Sequence, residues 1–180
     1  MLQWLMRRQL DAFERAFDYD MGYARDILAA SPKALMRFGR ITGFTQYRED
    51  APVEAYYAAK IAGTMQEDCG SCTQLVVDMA LKAGVSPAVL RTIVAGDAAA
   101  MPPDAALGFR FAQASLAHTL QANDLREEVV KRWGRKALVS LAFALAAARI
   151  FPTLKYALGH GQACMKVRVA EADVLVKQPA

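Results

Sequence analysis

Residues 69–83 have the sequence CGSCTQLVVDMALKA, in which a pair of cysteines precedes a stretch with helical periodicity. Apolar side chains recur at intervals of three and four residues, which predicts an amphipathic helix over residues 71–83. The members of this apolar stripe are Cys72, Leu75, Val76, Met79 and Ala83. Both cysteines are therefore expected at a helix N-terminus, where the helix dipole favours a thiolate.

The cysteine spacing allows a small disulfide ring, so the pair indicates redox chemistry more strongly than packing. Asp68 precedes the pair and is the expected N-cap of the helix. Its carboxylate and that of Glu67 would raise a thiol pKa, in opposition to the helix dipole. The sequence leaves open which effect is larger, and buried structural cysteines are the alternative interpretation.

The rest of the chain predicts a single all-α domain of 180 residues, a compact bundle of about eight to ten helices. Serine–proline pairs at Ser31 and Ser86 predict two helix starts, and Pro152 is expected to kink or end an apolar helix. The remaining predicted segments are a first helix over 2–17, helices over 52–64, 104–120 and 137–150, and a C-terminal helix over 163–176.

Composition restricts the class of protein. Three cysteines and no export signal at the N-terminus predict a cytoplasmic protein without a disulfide framework. The apolar run 137–148 is shorter than the roughly 20 residues of a membrane span, so no span is expected. The basic run KRWGRK at 131–136 is interpreted as a solvated helix junction, and no nucleic-acid partner is predicted. Apolar residues of the first helix, Trp4, Met6 and Phe13, together with the 137–148 run predict a homo-oligomer, a dimer or larger.

Several segments resemble a known family. Residues 67–72 (EDCGSC), 75–80 (LVVDMA) and 83–86 (AGVS), followed by 109–112 (FRFA), 138–142 (LVSLA) and 149–159, are similar to the core of the alkylhydroperoxidase-D-like, or carboxymuconolactone decarboxylase-like, superfamily. The resemblance covers residues 52–159, and residues 1–50 form an N-terminal helical extension without a counterpart. It implies a helical hairpin that carries the CxxC pair at a helix N-terminus, in a homo-oligomer.

The redox members of that superfamily imply roles for the two cysteines. Cys72 would be the nucleophile that attacks a hydroperoxide or a disulfide, and Cys69 would resolve the product into a disulfide. A thiol/disulfide electron donor would be the partner, and no cofactor is implied.

The proton relay of those redox members is absent at its expected positions. Val76 occupies the histidine position and Tyr57 the glutamate position, with Glu54 one turn earlier. General-base assistance contributes about 10²–10⁴-fold to a rate, so another base would be needed for fast turnover. Glu54 and Glu67 are the candidates assigned to the site, and His118 and His160 are further candidates, although His118 is better explained as a core residue of the 104–120 helix.

Three other functions remain open from the sequence. A zinc site could be formed by Cys69, Cys72, His160 and Cys164, whose residue types suit tetrahedral coordination. A non-catalytic helical scaffold or binding protein with a decayed relay is the main alternative to the dithiol function. A lactone decarboxylase activity is disfavoured, because it would not need the CxxC pair.

Overall fold

The computed structural model describes residues 2–161 and 166–176, and 73 % of these residues are helical. The all-α prediction is therefore confirmed in its coarse form, with one two-stranded sheet added. The helices are α1 Leu2–Phe17, α2 Gly22–Ala30, α3 Pro32–Gly39, α4 Ile41–Gln46, α5 Val53–Gln66, α6 Gly70–Lys82, α7 Pro87–Val94, α8 Pro103–Leu116 and α9 Gln121–Ala157. The strands are β1 Lys166–Val169 and β2 Ala172–Leu175.

Both predicted serine–proline helix starts are confirmed. The Ser31 hydroxyl accepts a hydrogen bond from the Ala34 N–H at 3.2 Å, and the Ser86 hydroxyl accepts one from the Val89 N–H at 3.3 Å. Each serine therefore satisfies an N–H group that the first turn leaves without a helical partner. The following proline fits because its missing N–H would have no helical partner at that position.

Small residues hold the core together, where α5 packs against α8 and α9. Gly108 of α8 lies so close to α5 that an added Cβ would be 2.8 Å from the Ala55 carbonyl carbon. At Gly63 of α5, an added Cβ would be 2.6 Å from the Cβ of Ala148 in α9. These three core helices, α5, α8 and α9, form the base on which the cysteine helix α6 rests.

Helices α1–α4 are here called the cover helices, and α1–α3 with the turn between α1 and α2 form a second apolar cluster over one side of the core. The buried residues of this cluster are Met6, Leu10, Tyr19, Tyr23, Ala24, Leu28 and Leu35. Arg25 of α2 bonds to both Asp11 and Glu14 of α1, which joins the first two helices. Of the three α1 residues named in the oligomer prediction, Met6 is buried and Trp4 is exposed, and the oligomeric state stays a prediction.

The predicted C-terminal helix over 163–176 is wrong for residues 166–176, which form an antiparallel hairpin. Val167 and Val169 alternate with exposed residues and are fully buried, a period-two pattern that favours a strand. The Gln74 side chain of α6 exchanges two hydrogen bonds with the Arg168 backbone, at 2.8 and 2.9 Å. Residues 163–165 of the predicted helix lie outside the described part of the chain.

The long helix α9 differs from prediction at its C-terminal end, where Pro152 does not end the helix and the helix continues to Ala157. Its backbone breaks at Gly134, whose φ of 84° and ψ of 175° are not helical, within the basic run that was interpreted as a helix junction. A positive φ is accessible to glycine without a steric penalty, so the chain turns there. The continuation beyond Pro152 matters because it brings Lys155 to the cysteines.

One described helix, α9, is long and apolar enough to cross a membrane by length and composition. The core helix of a soluble protein passes the same test, and 44 % of the apolar window is buried inside this fold. The absence of a membrane span therefore stays a prediction.

Candidate functional site

The cysteine pair lies where α5 ends and α6 begins. Asp68, with a φ of 47°, closes the turn after α5, and its N–H bonds to the Met65 carbonyl. Cys69 is consequently the N-cap of α6, in place of the predicted Asp68. Cys72 follows in the first turn, as predicted. The expected CxxC at a helix N-terminus is confirmed, with the cap shifted by one residue because Asp68 adopts a left-handed conformation.

Both thiols are free and almost completely buried, with exposed fractions of 1 % for Cys69 and 4 % for Cys72. The predicted apolar stripe of α6 faces a cavity beneath the cover helices, because Cys72, Leu75, Val76 and Met79 all line it. A second stripe, Thr73, Val77 and Ala80, is buried in the core. Helix α6 therefore separates the packed core from the cavity.

A buried lysine from α9 lies at the centre of the site. Lys155 is 2 % exposed, and its Nζ donates to the Ser71 hydroxyl at 2.7 Å and to the Tyr19 hydroxyl at 3.4 Å. The ammonium also lies 4.7 Å from the centre of the Tyr19 ring. Within residues 2–161 and 166–176, no carboxylate lies within ion-pair distance of Lys155.

The lysine orients the two hydroxyls toward the sulfurs. An ammonium can only donate hydrogen bonds, so the Ser71 and Tyr19 oxygens accept from it and keep their own protons available. The Ser71 oxygen lies 3.7 Å from the Cys69 sulfur, and the Tyr19 oxygen lies 3.9 Å from the Cys72 sulfur. Each sulfur thus has a hydroxyl donor that is polarised by the same buried cation.

The two thiols have very different acidities. The pKa of Cys69 is lowered to about 6, chiefly by the hydrogen bond from the Cys72 thiol, and further by the Cys72 backbone N–H, Ser71 and the Lys155 charge. The pKa of Cys72 is raised, because it donates to Cys69, is desolvated and lies beside the Cys69 charge. These opposite pKa shifts favour a single thiolate in the pair, on Cys69 rather than on Cys72.

The predicted acid–base residues are not brought to the sulfurs. Glu67 binds Arg149 of α9, with 2.6 Å between Oε1 and Nε. Glu54 lies in the first turn of α5, at the opposite end of a 14-residue helix from the cysteines and about 18 Å away along its axis. His118 is exposed in the turn after α8, so its placement on a buried helix face is wrong. Helix α8 ends at Leu116, and His118 has a φ of 55° that no helical residue adopts.

The zinc alternative receives no support from the described residues. His160 is held by Asp26, with 2.7 Å between Nε2 and Oδ2. No group of three or more histidine, cysteine, aspartate or glutamate side chains in the described part of the chain is placed to hold a metal ion. Cys164, the fourth proposed ligand, lies outside the described residues, so the complete set is not tested.

The cavity next to Cys72 has a volume of about 520 Å³. Its walls are mostly apolar side chains from the cover helices, α6 and α9, and Val76 occupies the wall at the position of the expected histidine. Leu2 and Met36 line the cavity and are about half exposed, so the opening lies between α1 and α3. Of the two sulfurs, Cys72 is the one in the cavity wall.

Lys155, Ser71 and Tyr19 are the site residues that sequence reasoning missed. The signal for Lys155 was available, because it continues a buried stripe through Ala144, Ala148 and Pro152 at intervals of four, four and three. A helix that ends near Pro152 does not include Lys155, so the prediction from sequence left Lys155 out of that stripe. Tyr19 lies in the turn between α1 and α2, and no local pattern points from there to the cysteines.

Comparison with protein-family models, with curated proteins and with solved structures gives no match for this chain. The resemblance to the alkylhydroperoxidase-D-like superfamily therefore rests on the sequence segments alone.

Proposed function

We propose that this protein is a dithiol redox protein in which Cys69 and Cys72 reduce an apolar hydroperoxide, with a disulfide partner as the other substrate class. The observation that carries the proposal is the buried Lys155 and its two hydroxyl neighbours, each within 4 Å of one sulfur. A buried cation without a described carboxylate partner is costly, and a neighbouring thiolate compensates its charge. This arrangement takes the place of a proton relay through histidine, because Val76 occupies the position where the relay histidine is expected.

Cys72 is the proposed attacking sulfur because it lines the cavity that a small molecule can enter. Cys69, which carries the thiolate, is the proposed proton acceptor. As the Cys72 sulfur bonds to the peroxide oxygen, its proton passes to Cys69 and the O–O bond breaks. The departing alkoxide takes that proton and leaves as the alcohol, so Cys72 becomes a sulfenic acid and Cys69 is again a thiolate.

The second step closes the disulfide. The Cys69 thiolate attacks the Cys72 sulfur, the S–O bond breaks, and the departing hydroxide takes up one proton from a buffer acid in the solvent and becomes water. The two cysteines lose two electrons, and the hydroperoxide is reduced to an alcohol and water. An external dithiol returns the protein to its reduced state. The apolar cavity and the low exposure of both sulfurs favour a small hydroperoxide over a protein disulfide.

Mass spectrometry of the reduced protein before and after one equivalent of cumene hydroperoxide tests the proposal. A Cys164→Ser background restricts the reaction to the pair. We expect a loss of two hydrogens that maps to the peptide with Cys69 and Cys72. In Cys69→Ser, the oxidised species is expected as a sulfenic acid on Cys72, and dimedone traps it. Unreacted thiols, or trapping on Cys69 in a Cys72→Ser variant, would contradict the assignment.

A non-catalytic scaffold on the same fold is the second candidate, and the burial of both sulfurs favours it. A scaffold requires the cysteines only for packing, so it predicts no reaction with hydroperoxide and near-normal stability of Cys69→Ser. The same mass measurement therefore separates the two candidates. The cytoplasmic location and the homo-oligomeric state stay predictions.

A further inference from the structure

A second buried lysine, Lys60 of α5, lies in the wall of the same cavity. It is 7 % exposed, and its Nζ donates to the Thr45 carbonyl oxygen of α4 at 2.8 Å. The Nζ also lies 5.4 Å from the centre of the Tyr56 ring. An ammonium has three donors, and the one hydrogen bond described for Lys60 uses a single donor.

Lys60 has no acidic partner in the described part of the chain. Every ion pair of residues 2–161 and 166–176 involves other side chains. Burial lowers the pKa of Lys60 to about 8, and burial is its only cause. An isolated buried cation is unfavourable unless an anion approaches it.

The surroundings of Lys60 define the ligand. Most of the lining side chains are aliphatic or aromatic, including Met6, Leu10 and Phe13. Glu and Asp are absent from the described lining residues. A volume of about 520 Å³ lies within the roughly 300–1,000 Å³ typical of small-molecule sites. Such a cavity suits a molecule with a long apolar body and a single negative charge at one end.

We infer that the cavity binds an aliphatic carboxylic acid, whose carboxylate pairs with Lys60 and whose chain lies among the apolar side chains of the cover helices. The opening between Leu2 and Met36 admits such a molecule along an apolar path. This inference goes beyond the proposed function, because binding requires no reaction at the cysteines. If this inference and the proposed redox function both hold, the chain of the bound acid passes Cys72, and a hydroperoxide group on that chain is the substrate.

Calorimetric titration of the reduced full-length protein with dodecanoate tests the inference, with dodecanol as a neutral ligand of equal chain length. At a pH below 8 we expect dodecanoate to bind at least tenfold more tightly than dodecanol, because only the acid pairs with the Lys60 ammonium. Absence of dodecanoate binding, or equal binding of the two ligands, would overturn the inference. This comparison uses the unaltered protein and does not depend on the folding of a variant.

The variant Lys60→Met tests whether the preference for the charged ligand depends on Lys60. It is expected to bind dodecanol as the parent does and to lose the preference for dodecanoate. Lys33→Met removes an exposed lysine of α3 and serves as the matched control, which is expected to keep the preference. A preference that survives in Lys60→Met would overturn the assignment. Because the cysteines stay reduced throughout, failure of this test and failure of the redox proposal are distinguishable.

Discussion

The core helices and the cover helices solve the packing problem in different ways. In the core, glycine and alanine allow α5 and α8 to approach until a single added carbon would overlap the Ala55 carbonyl. In the cover, the ring centres of Phe13 and Tyr19 are 6.1 Å apart and those of Tyr23 and Phe38 are 6.3 Å apart, and a cavity of about 520 Å³ stays open beneath these large side chains. The core helices thus hold one another at fixed positions, whereas the cover helices leave a cavity beneath them.

The two buried lysines lie at the boundary between these regions. Lys60 comes from α5 and Lys155 from α9, both core helices, and each contacts residues of the first fifty in sequence. A rigid base is required to hold a cation at a fixed distance from a sulfur or a ligand. We therefore interpret the difference between the regions in functional terms. The core helices position the two ammonium groups, and the cover helices determine which molecules reach them.

The largest expected difference between the two regions is between two glycines, Gly108 and Gly43. Gly108→Ala places a methyl group against the Ala55 backbone, which cannot move without separating α5 from α8, and we expect a loss of about 3 kcal/mol or more of unfolding free energy. Gly43→Ala in cover helix α4 is the matched control, because an added Cβ there has no neighbour within 4 Å. Its expected effect is a gain of about 0.5–1 kcal/mol from helix propensity. Urea unfolding measures both, and similar losses at the two sites would remove the distinction between the regions.

A smaller difference is expected between two leucines. Leu107 of α8 is fully buried in the core, and Leu107→Ala is expected to cost about 3–5 kcal/mol through a new cavity. Leu10 of α1 already borders an open cavity and loses fewer contacts, so Leu10→Ala is expected to cost about 1–2 kcal/mol. Chemical denaturation of both variants checks the order. A cost at Leu10 equal to that at Leu107 would mean that the cover is packed as tightly as the core.

Replacement of Lys60, at the boundary between the two regions, is expected to increase stability. Its pKa in the folded protein is lowered to about 8 from 10.5, so the folded state binds fewer protons between these values and the stability rises with pH across that window. Below pH 8 the full cost is present, on the order of 3 kcal/mol before the hydrogen bond to Thr45 offsets part of it.

Lys60→Met is therefore expected to be more stable than the parent by about 1–2 kcal/mol below pH 8. The difference is expected to shrink as the pH rises toward 10.5. Thermal melts over this pH range check the sign, with Lys33→Met as the control. A variant that is less stable at every pH would show that Lys60 contributes more through its contacts than it costs through burial.

Local patterns were sufficient to predict much of the fold. The first helix, the two serine–proline starts and the position of Cys72 in the first turn of α6 follow from periodicity and capping, and all are confirmed. The hairpin at 166–175 was missed because its alternating valines are short and their burial depends on packing against α6 and α7. Such tertiary contacts are not visible in a local pattern.

The candidate site was predicted only in part, for a related physical reason. The two cysteines are close together in sequence, so their position at the start of a helix can be predicted from the local pattern. Lys155 is 84 residues from Ser71 and Tyr19 is 53 residues from Cys72, so only the completed fold brings these side chains together. Glu67 was a candidate because it is close to the cysteines in sequence, and Glu54 because it lies one turn before the glutamate position implied by the resemblance. The fold pairs Glu67 with Arg149 and leaves Glu54 at the far end of α5.

The central claim is that the reduced pair holds one stabilised thiolate, on Cys69. The most direct measurement is a pH titration of thiolate ultraviolet absorbance in the reduced Cys164→Ser protein. We predict one thiolate whose midpoint lies well below that of an ordinary cysteine, so that a larger share of Cys69 is ionised at pH 7 than the roughly 3 % of an ordinary cysteine. The midpoint should rise most in Cys72→Ala, which removes the largest cause, and less in Lys155→Met. A first midpoint above 8, or a midpoint that neither variant raises, would contradict the claim.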